Sequence, residues 1–87
     1  MSPVVIYTKS WCTYCNDAKA LLRRKGIAFE EIDVDGKPDL QAAMSVKAHG
    51  RRTVPQIFIG ATHVGGCDDL HELEANGRLD TLLKTGV

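Results

Sequence analysis

Eighty-seven residues, 44% of them apolar, suit a single domain over residues 1–87 with room for one core, and eleven basic against eleven acidic side chains leave a formal charge of zero. With no net field and the charges dispersed, neither nucleic acid nor a membrane surface is an expected partner. No basic leader with a cleavage site stands at the N-terminus, no apolar run is long enough for a bilayer, and three cysteines, an odd number, suit a reducing compartment, so a cytoplasmic protein is expected.

Val4-Val5-Ile6-Tyr7 is a short β-branched run bounded by Pro3 and Thr8, which predicts a central strand buried on both faces. Directly after it comes Cys12-Thr13-Tyr14-Cys15, two thiols with two residues between them, and then a helical stretch, Asn16 to Lys25. That stretch places Cys15, Ala18, Leu21 and Leu22 on one side and Asp17, Arg23 and Arg24 on the other, with Gly26 as its C-terminal cap. If the helix begins near Thr13, Cys12 sits at the cap, where first-turn N–H groups and the positive end of the helix dipole meet its sulfur. Lys9, three residues upstream, adds a cation near the same sulfur. Both effects favour the thiolate. Cys12 is therefore the expected nucleophile and Cys15, one turn further in, the resolving thiol. A zinc half-site is the competing reading. It needs a second pair of ligands, yet Cys67 is alone and His49, His63 and His71 form no companion pair by spacing.

Ile27 to Val34 is strand-like, although its alternation slips at Glu30-Glu31; Asp35-Gly36 marks a turn, and Pro38 suits the first position of the next helix. Asp39 to Ala48 carries Leu40, Ala43, Met44 and Lys47 at helical spacing and ends at Gly50, predicting an amphipathic helix that crosses back over the sheet. Gln56 to Ile59 reads as a buried strand, and Gly60-Ala61-Thr62 as a hairpin turn into His63-Val64-Gly65, which makes that pair antiparallel. Asp68 to Ala75 is helix-like with Leu70 and Leu73 inward, Asn76-Gly77 ends it, and Leu79, Leu82 and Leu83 mark a last helix. The predicted order is βαβαββαα, with no repeat or linker.

A redox Cys-x-x-Cys after the first strand of such a chain follows the thioredoxin-like pattern. Together with Tyr7-Thr8-Lys9, Thr53-Val54-Pro55 and Gly65-Gly66-Cys67-Asp68-Asp69, it resembles the glutaredoxins over almost the whole chain. The resemblance implies an α/β thioredoxin-like fold, a four-stranded mixed sheet with helices on both faces. It also implies a glutathione-dependent disulfide oxidoreductase, with glutathione as cosubstrate and glutathionylated or disulfide-containing proteins as partners. By the same resemblance Pro55 is cis, which lets the backbone of Val54 face Cys12 and pair with the peptide of glutathione; Thr53 belongs to the same glutathione-binding segment, and Tyr14 shields the sulfurs. The γ-glutamyl carboxylate would meet the backbone of Cys67 and Asp68 at a helix N-terminus that Gly65 and Gly66 let it approach closely, while the Asp68 side chain meets the α-amino group. The plain alternative for Asp68-Asp69 is helix capping. Lys9 is the best match for the glycyl carboxylate, with Arg52 and Gln56 as weaker candidates.

Two positions depart from the common dithiol pattern: Thr13 stands where many members have proline, and Trp11 where they have a smaller residue. Trp-Cys-Thr-Tyr-Cys resembles the branch in which some members hold a [2Fe–2S] cluster between two subunits, with glutathione supplying further thiolates. Cys12 as a cluster ligand is the alternative reading. A monomer is expected for the oxidoreductase, and a dimer if a cluster is bound.

Overall fold

The computed structural model describes residues 2–85. Strand β1 (Val4–Thr8) runs into helix α1 (Thr13–Arg24), then β2 (Glu30–Asp33), α2 (Pro38–Lys47), the pair β3 (Gln56–Ile59) and β4 (Thr62–Gly65), and helices α3 (Cys67–Ala75) and α4 (Arg78–Thr85). The four strands form one mixed sheet in the order β2-β1-β3-β4. β1 is parallel to β2, as the helical crossover requires, and antiparallel to β3. The β3–β4 pair is antiparallel, turning through Gly60 at φ 57°.

Side-chain alternation divides the core in two. Val4 and Ile6 of β1 and Ile57 and Ile59 of β3 face Ala18, Leu21 and Leu22 of α1, Leu70 of α3, and Leu79 and Leu83 of α4. On the other face, Tyr7 and Phe58 pack edge to face with ring centroids 5.6 Å apart, against Val34 and against Met44 and Ala48. Lys25, just past α1, pairs with Glu74 of α3 and Asp80 of α4 at 2.8 and 3.0 Å, tying three helices together at that end.

α1 begins at Thr13 with Cys12 as its cap, the start on which the capping argument rested, ahead of the periodic stretch from Asn16. Two sequence expectations need correction. β2 is confined to Glu30–Asp33: it is an edge strand paired only with β1, and its charged Glu30, Glu31 and Asp33 stay exposed. α2 meets the sheet along a narrow seam: Met44 and Ala48, four residues apart, are buried, while Leu40, Ala43 and Lys47 stay exposed. At the top of β1, the buried Thr8 hydroxyl donates to Glu31 at 2.7 Å, and Lys19 of α1 reaches the same carboxylate at 2.9 Å. That hydrogen bond, then the lysine, holds the Glu31 carboxyl below its ordinary range.

Candidate functional site

The chain leaves β1 through Lys9 and Ser10 and turns sharply at Trp11, whose φ of 63° is uncommon for a bulky residue and leaves its ring 99% exposed. Cys12 follows in an extended conformation as the N-cap of α1, and its sulfur accepts the backbone N–H of Cys15 at 3.1 Å. This is the bond that serine or aspartate makes at ordinary helix starts, with sulfur in place of oxygen. Negative charge on that sulfur meets both the N–H and the dipole.

Cys15 lies one turn inside α1 at 1% exposure. Burial, then its side-chain hydrogen bond with Cys12, push its thiol up to about 12, against a weaker pull from the Lys9 backbone. It keeps its proton across the physiological range. The pair is therefore asymmetric: Cys12 is half-buried and faces a hydrogen-bond donor, while Cys15 is enclosed and protonated. The Cys12 thiol also lies 3.9 Å from the carbonyl of Val54, across the chain from α1.

Val54 introduces the second part of the site. The Val54–Pro55 peptide bond is cis, as the resemblance implied. Thr53, Val54 and Pro55 form one wall of an open groove of about 140 Å³, Tyr14 lies on the α1 side, and Gly66, Cys67 and Asp68 close the far end. So the structure gathers Tyr14, Thr53, Val54, Pro55, Gly66, Cys67 and Asp68 around one cleft, with Cys12 at its lip through Val54. Lys9 and Arg52 do not line it. The backbone carbonyl of Arg52 accepts the side-chain amide of Gln41 at 3.2 Å. Gln56 is fully buried with its amide committed to Thr53, so it is withdrawn from the candidates for the glycyl carboxylate.

Helix α3 closes the groove. Only Gly65 uses the left-handed region, at φ 115°, whereas Gly66 is extended at φ −94° and serves as N-cap. The first helical bond runs from Leu70 N–H to Gly66 O, which leaves the N–H groups of Cys67 and Asp68 without an intrahelical acceptor. Asp69 caps: its carboxylate accepts Gly66 N–H at 2.8 Å and Arg51 at 3.2 Å. The Gly66 bond, then Arg51, hold the Asp69 carboxyl below its usual value. Asp68, one residue earlier, is exposed and makes none of these contacts. The capping role weighed for Asp68-Asp69 thus falls on Asp69. Cys67 is buried, and burial, then Asp17 and Asp68, raise its thiol. It is a poor nucleophile there.

Spacing alone did not indicate Arg51 or its pairing with Asp69, since that ion pair spans eighteen residues. Nor did it pair His49 with His63, whose Nδ1 atoms lie 3.0 Å apart. A side chain at Gly65 would collide with the Asp69 carboxylate and stand 2.8 Å from Arg51, at a backbone angle that L-residues avoid. Gly65→Ala is expected to cost on the order of 2 kcal/mol, read as a lower urea midpoint. Gly66→Ala, whose methyl meets nothing closer than 3.5 Å, stays close to wild type.

A thioredoxin-like sheet carrying a helix-capping cysteine of a Cys-x-x-Cys pair beside a cis-proline loop defines a thiol–disulfide protein of the thioredoxin-like class. Residues 4–64 match the family model for glutaredoxin, and the chain belongs to the glutaredoxin family. The chain is 65% identical over 83 residues to a Pseudomonas aeruginosa glutaredoxin, covering 95% of this chain and 98% of that one. It superposes on the solution structure of the Brucella melitensis glutaredoxin with a TM-score of 0.88 at 59% identity, over 100% of this chain and 94% of that one. The crystal structure of a buckwheat glutaredoxin–glutathione complex matches with a TM-score of 0.87 at 34% identity, over 98% of this chain and 79% of that one.

Proposed function

We propose that residues 1–87 act as one glutaredoxin domain, a cytoplasmic glutathione-dependent thiol–disulfide oxidoreductase that reduces protein–glutathione mixed disulfides and protein disulfides. The observation that carries this reading is the Cys12 sulfur, half-buried at the tip of α1, 3.1 Å from a backbone donor and at the lip of a groove ending in another helix N-terminus. Glutathione has two carboxylates, a peptide backbone and one thiol. The groove offers a partner for each class: first-turn N–H groups of Cys67 and Asp68 for the γ-glutamyl carboxylate, the Asp68 side chain for the α-amino group, and the Thr53–Val54 backbone for the peptide. Lys9 and Arg52 serve the glycyl end, which projects beyond the groove. The glutathione complex of the buckwheat relative supports glutathione as the ligand.

Reduction of a mixed disulfide begins when the Cys12 thiolate attacks the glutathionyl sulfur. A Cys12–glutathione disulfide forms, the target's sulfur leaves as thiolate and takes a proton from solvent. A second glutathione, as thiolate, attacks the glutathionyl sulfur; oxidised glutathione leaves and Cys12 is a thiolate again. With a protein disulfide, the Cys12 thiolate attacks one target sulfur, the other leaves as thiolate and takes a proton from solvent, and Cys15 then attacks the Cys12 sulfur of the Cys12–target disulfide. The Cys15 proton passes to the departing target thiolate, and the resulting Cys12–Cys15 disulfide is reduced by two glutathiones. The experiment is glutathione-dependent turnover of a glutathionylated peptide, which this reading requires of the wild type and denies to Cys12→Ser.

The second reading, a [2Fe–2S] cluster between two copies, draws on Trp11, 99% exposed beside Cys12 as a contact for another chain. The described residues hold no group of three or more metal-ligating side chains, and Cys15 and Cys67 are buried. Each copy would therefore contribute Cys12 alone, with glutathione supplying the other thiolates. Anaerobic reconstitution followed by visible absorbance separates the two: a Cys12-dependent chromophore in a dimer supports the cluster, and a colourless active monomer supports the oxidoreductase.

A further inference from the structure

We infer that Gln56, oriented by His63, is a positioning residue that fixes the backbone of Thr53 where the peptide of glutathione pairs. The inference rests on the proposed glutathione groove and adds a buried relay behind it. Gln56 is the first residue of β3 and is fully buried, so water cannot replace its partners. Its Nε2 donates to the Thr53 carbonyl at 3.0 Å and reaches the Thr53 hydroxyl at 3.3 Å. A carbonyl only accepts, which forces the NH2 end of the amide toward the loop and the Oε1 end toward β4.

There Oε1 meets His63 Nε2 at 2.7 Å, so that nitrogen must carry the hydrogen. His63 Nδ1 then bears the lone pair, and it receives the Nδ1–H of His49 at 3.0 Å. Burial, with the neighbouring His49 and Arg51, pushes the His63 ring toward its neutral form. The ring is steadied further by stacking on Phe58, centroids 5.0 Å apart at 30°. Every donor in this chain faces an acceptor, from the loop after α2 through β4 and β3 to the residue two before the cis-proline. Among the described residues, Gln56 is the side chain that holds both the carbonyl and the hydroxyl of Thr53.

Two substitutions of His63 test the relay, because glutamine places an amide nitrogen about where imidazole Nε2 stands and asparagine reaches only as far as Nδ1. His63→Gln keeps the donor to Gln56. His63→Asn removes it, and both lose the stacking on Phe58 alike. The expected result is a KM for a glutathionylated peptide within about twofold of wild type in His63→Gln and raised roughly five-fold in His63→Asn, with kcat unchanged in both. A role in stability alone would lower both midpoints of unfolding and leave the two KM values equal, which overturns the inference. The amide NMR signals of Thr53 and Val54 give a reading without turnover: they move in His63→Asn and overlay wild type in His63→Gln. Unmoved signals in His63→Asn overturn the relay while leaving the oxidoreductase intact. A wild-type chain without glutathione-dependent turnover overturns the functional reading, and the inference with it.

Discussion

Cys12→Ser is expected to lower glutathione-dependent reduction of a mixed disulfide by roughly a hundred-fold or more, whereas Cys15→Ser retains activity within about three-fold of wild type. The asymmetry follows from what each position supplies. The donor that stabilises charge on the Cys12 sulfur is the backbone N–H of Cys15, which survives replacement of the Cys15 side chain. The Cys15 thiol itself, pushed up to about 12 chiefly by burial, is protonated and takes no part in the first attack. Serine in its place fills the same small space. Serine at position 12 still caps the helix, so the variant folds while its hydroxyl stays un-ionised. Reduction of a protein disulfide should fail in both variants, because that route needs Cys15 to resolve the target from Cys12. Equal loss on the mixed disulfide would remove the monothiol step from the account.

Asp68→Ala is expected to raise the KM for a glutathionylated peptide about ten-fold, the worth of a charge-assisted hydrogen bond, and to leave thermal stability near wild type. Its neighbour behaves in the opposite way. Asp69 closes the first turn of α3 through Gly66 N–H, and Asp69→Ala should cost about 1 kcal/mol of stability as loss of an N-terminal cap does. The half-exposed ion pair with Arg51 adds little to that. The pH dependence separates them further. Because the Asp69 carboxyl is depressed below its ordinary 3.8 in the folded chain, its contribution is complete above that value and is lost as pH falls through the depressed one. Urea midpoints between pH 5 and pH 3 should therefore fall more steeply in wild type than in Asp69→Asn. A stability loss in Asp68→Ala with unchanged KM would return that residue to a capping role.

Legibility in the sequence followed the range of the interaction. The strand of β1, the apolar face of α1 and the glycine-bounded entry to α3 depend on neighbours one to four residues apart, and the spacing of Val4 to Tyr7 and of Cys15, Ala18 and Leu22 carried them. The cap at Cys12 was readable for the same reason. The extent of β2 was not, because apolar Ile27, Phe29 and Val34 extend the strand-like stretch beyond the four residues that find a partner on β1. Leu40 has helical spacing like Met44, yet only the seam through Met44 and Ala48 is covered, and which row of a helix meets a sheet is settled by tertiary packing. Around the groove, Arg51 and Asp69 or His49 and His63 come together across a β-hairpin and a loop, distances over which no periodicity speaks. The partners of Gln56 were hidden likewise: its strand reads as buried, but the groups that satisfy its amide, Thr53 and His63, come from a loop and from β4.

The account depends most on the division of labour between the cysteines, and brief alkylation of the reduced protein with iodoacetamide at neutral pH, mapped by mass spectrometry, tests it directly. Label on Cys12 alone, with Cys15 and Cys67 reacting only after unfolding, is the predicted result. Label appearing on Cys15 or Cys67 as fast as on Cys12 would contradict it.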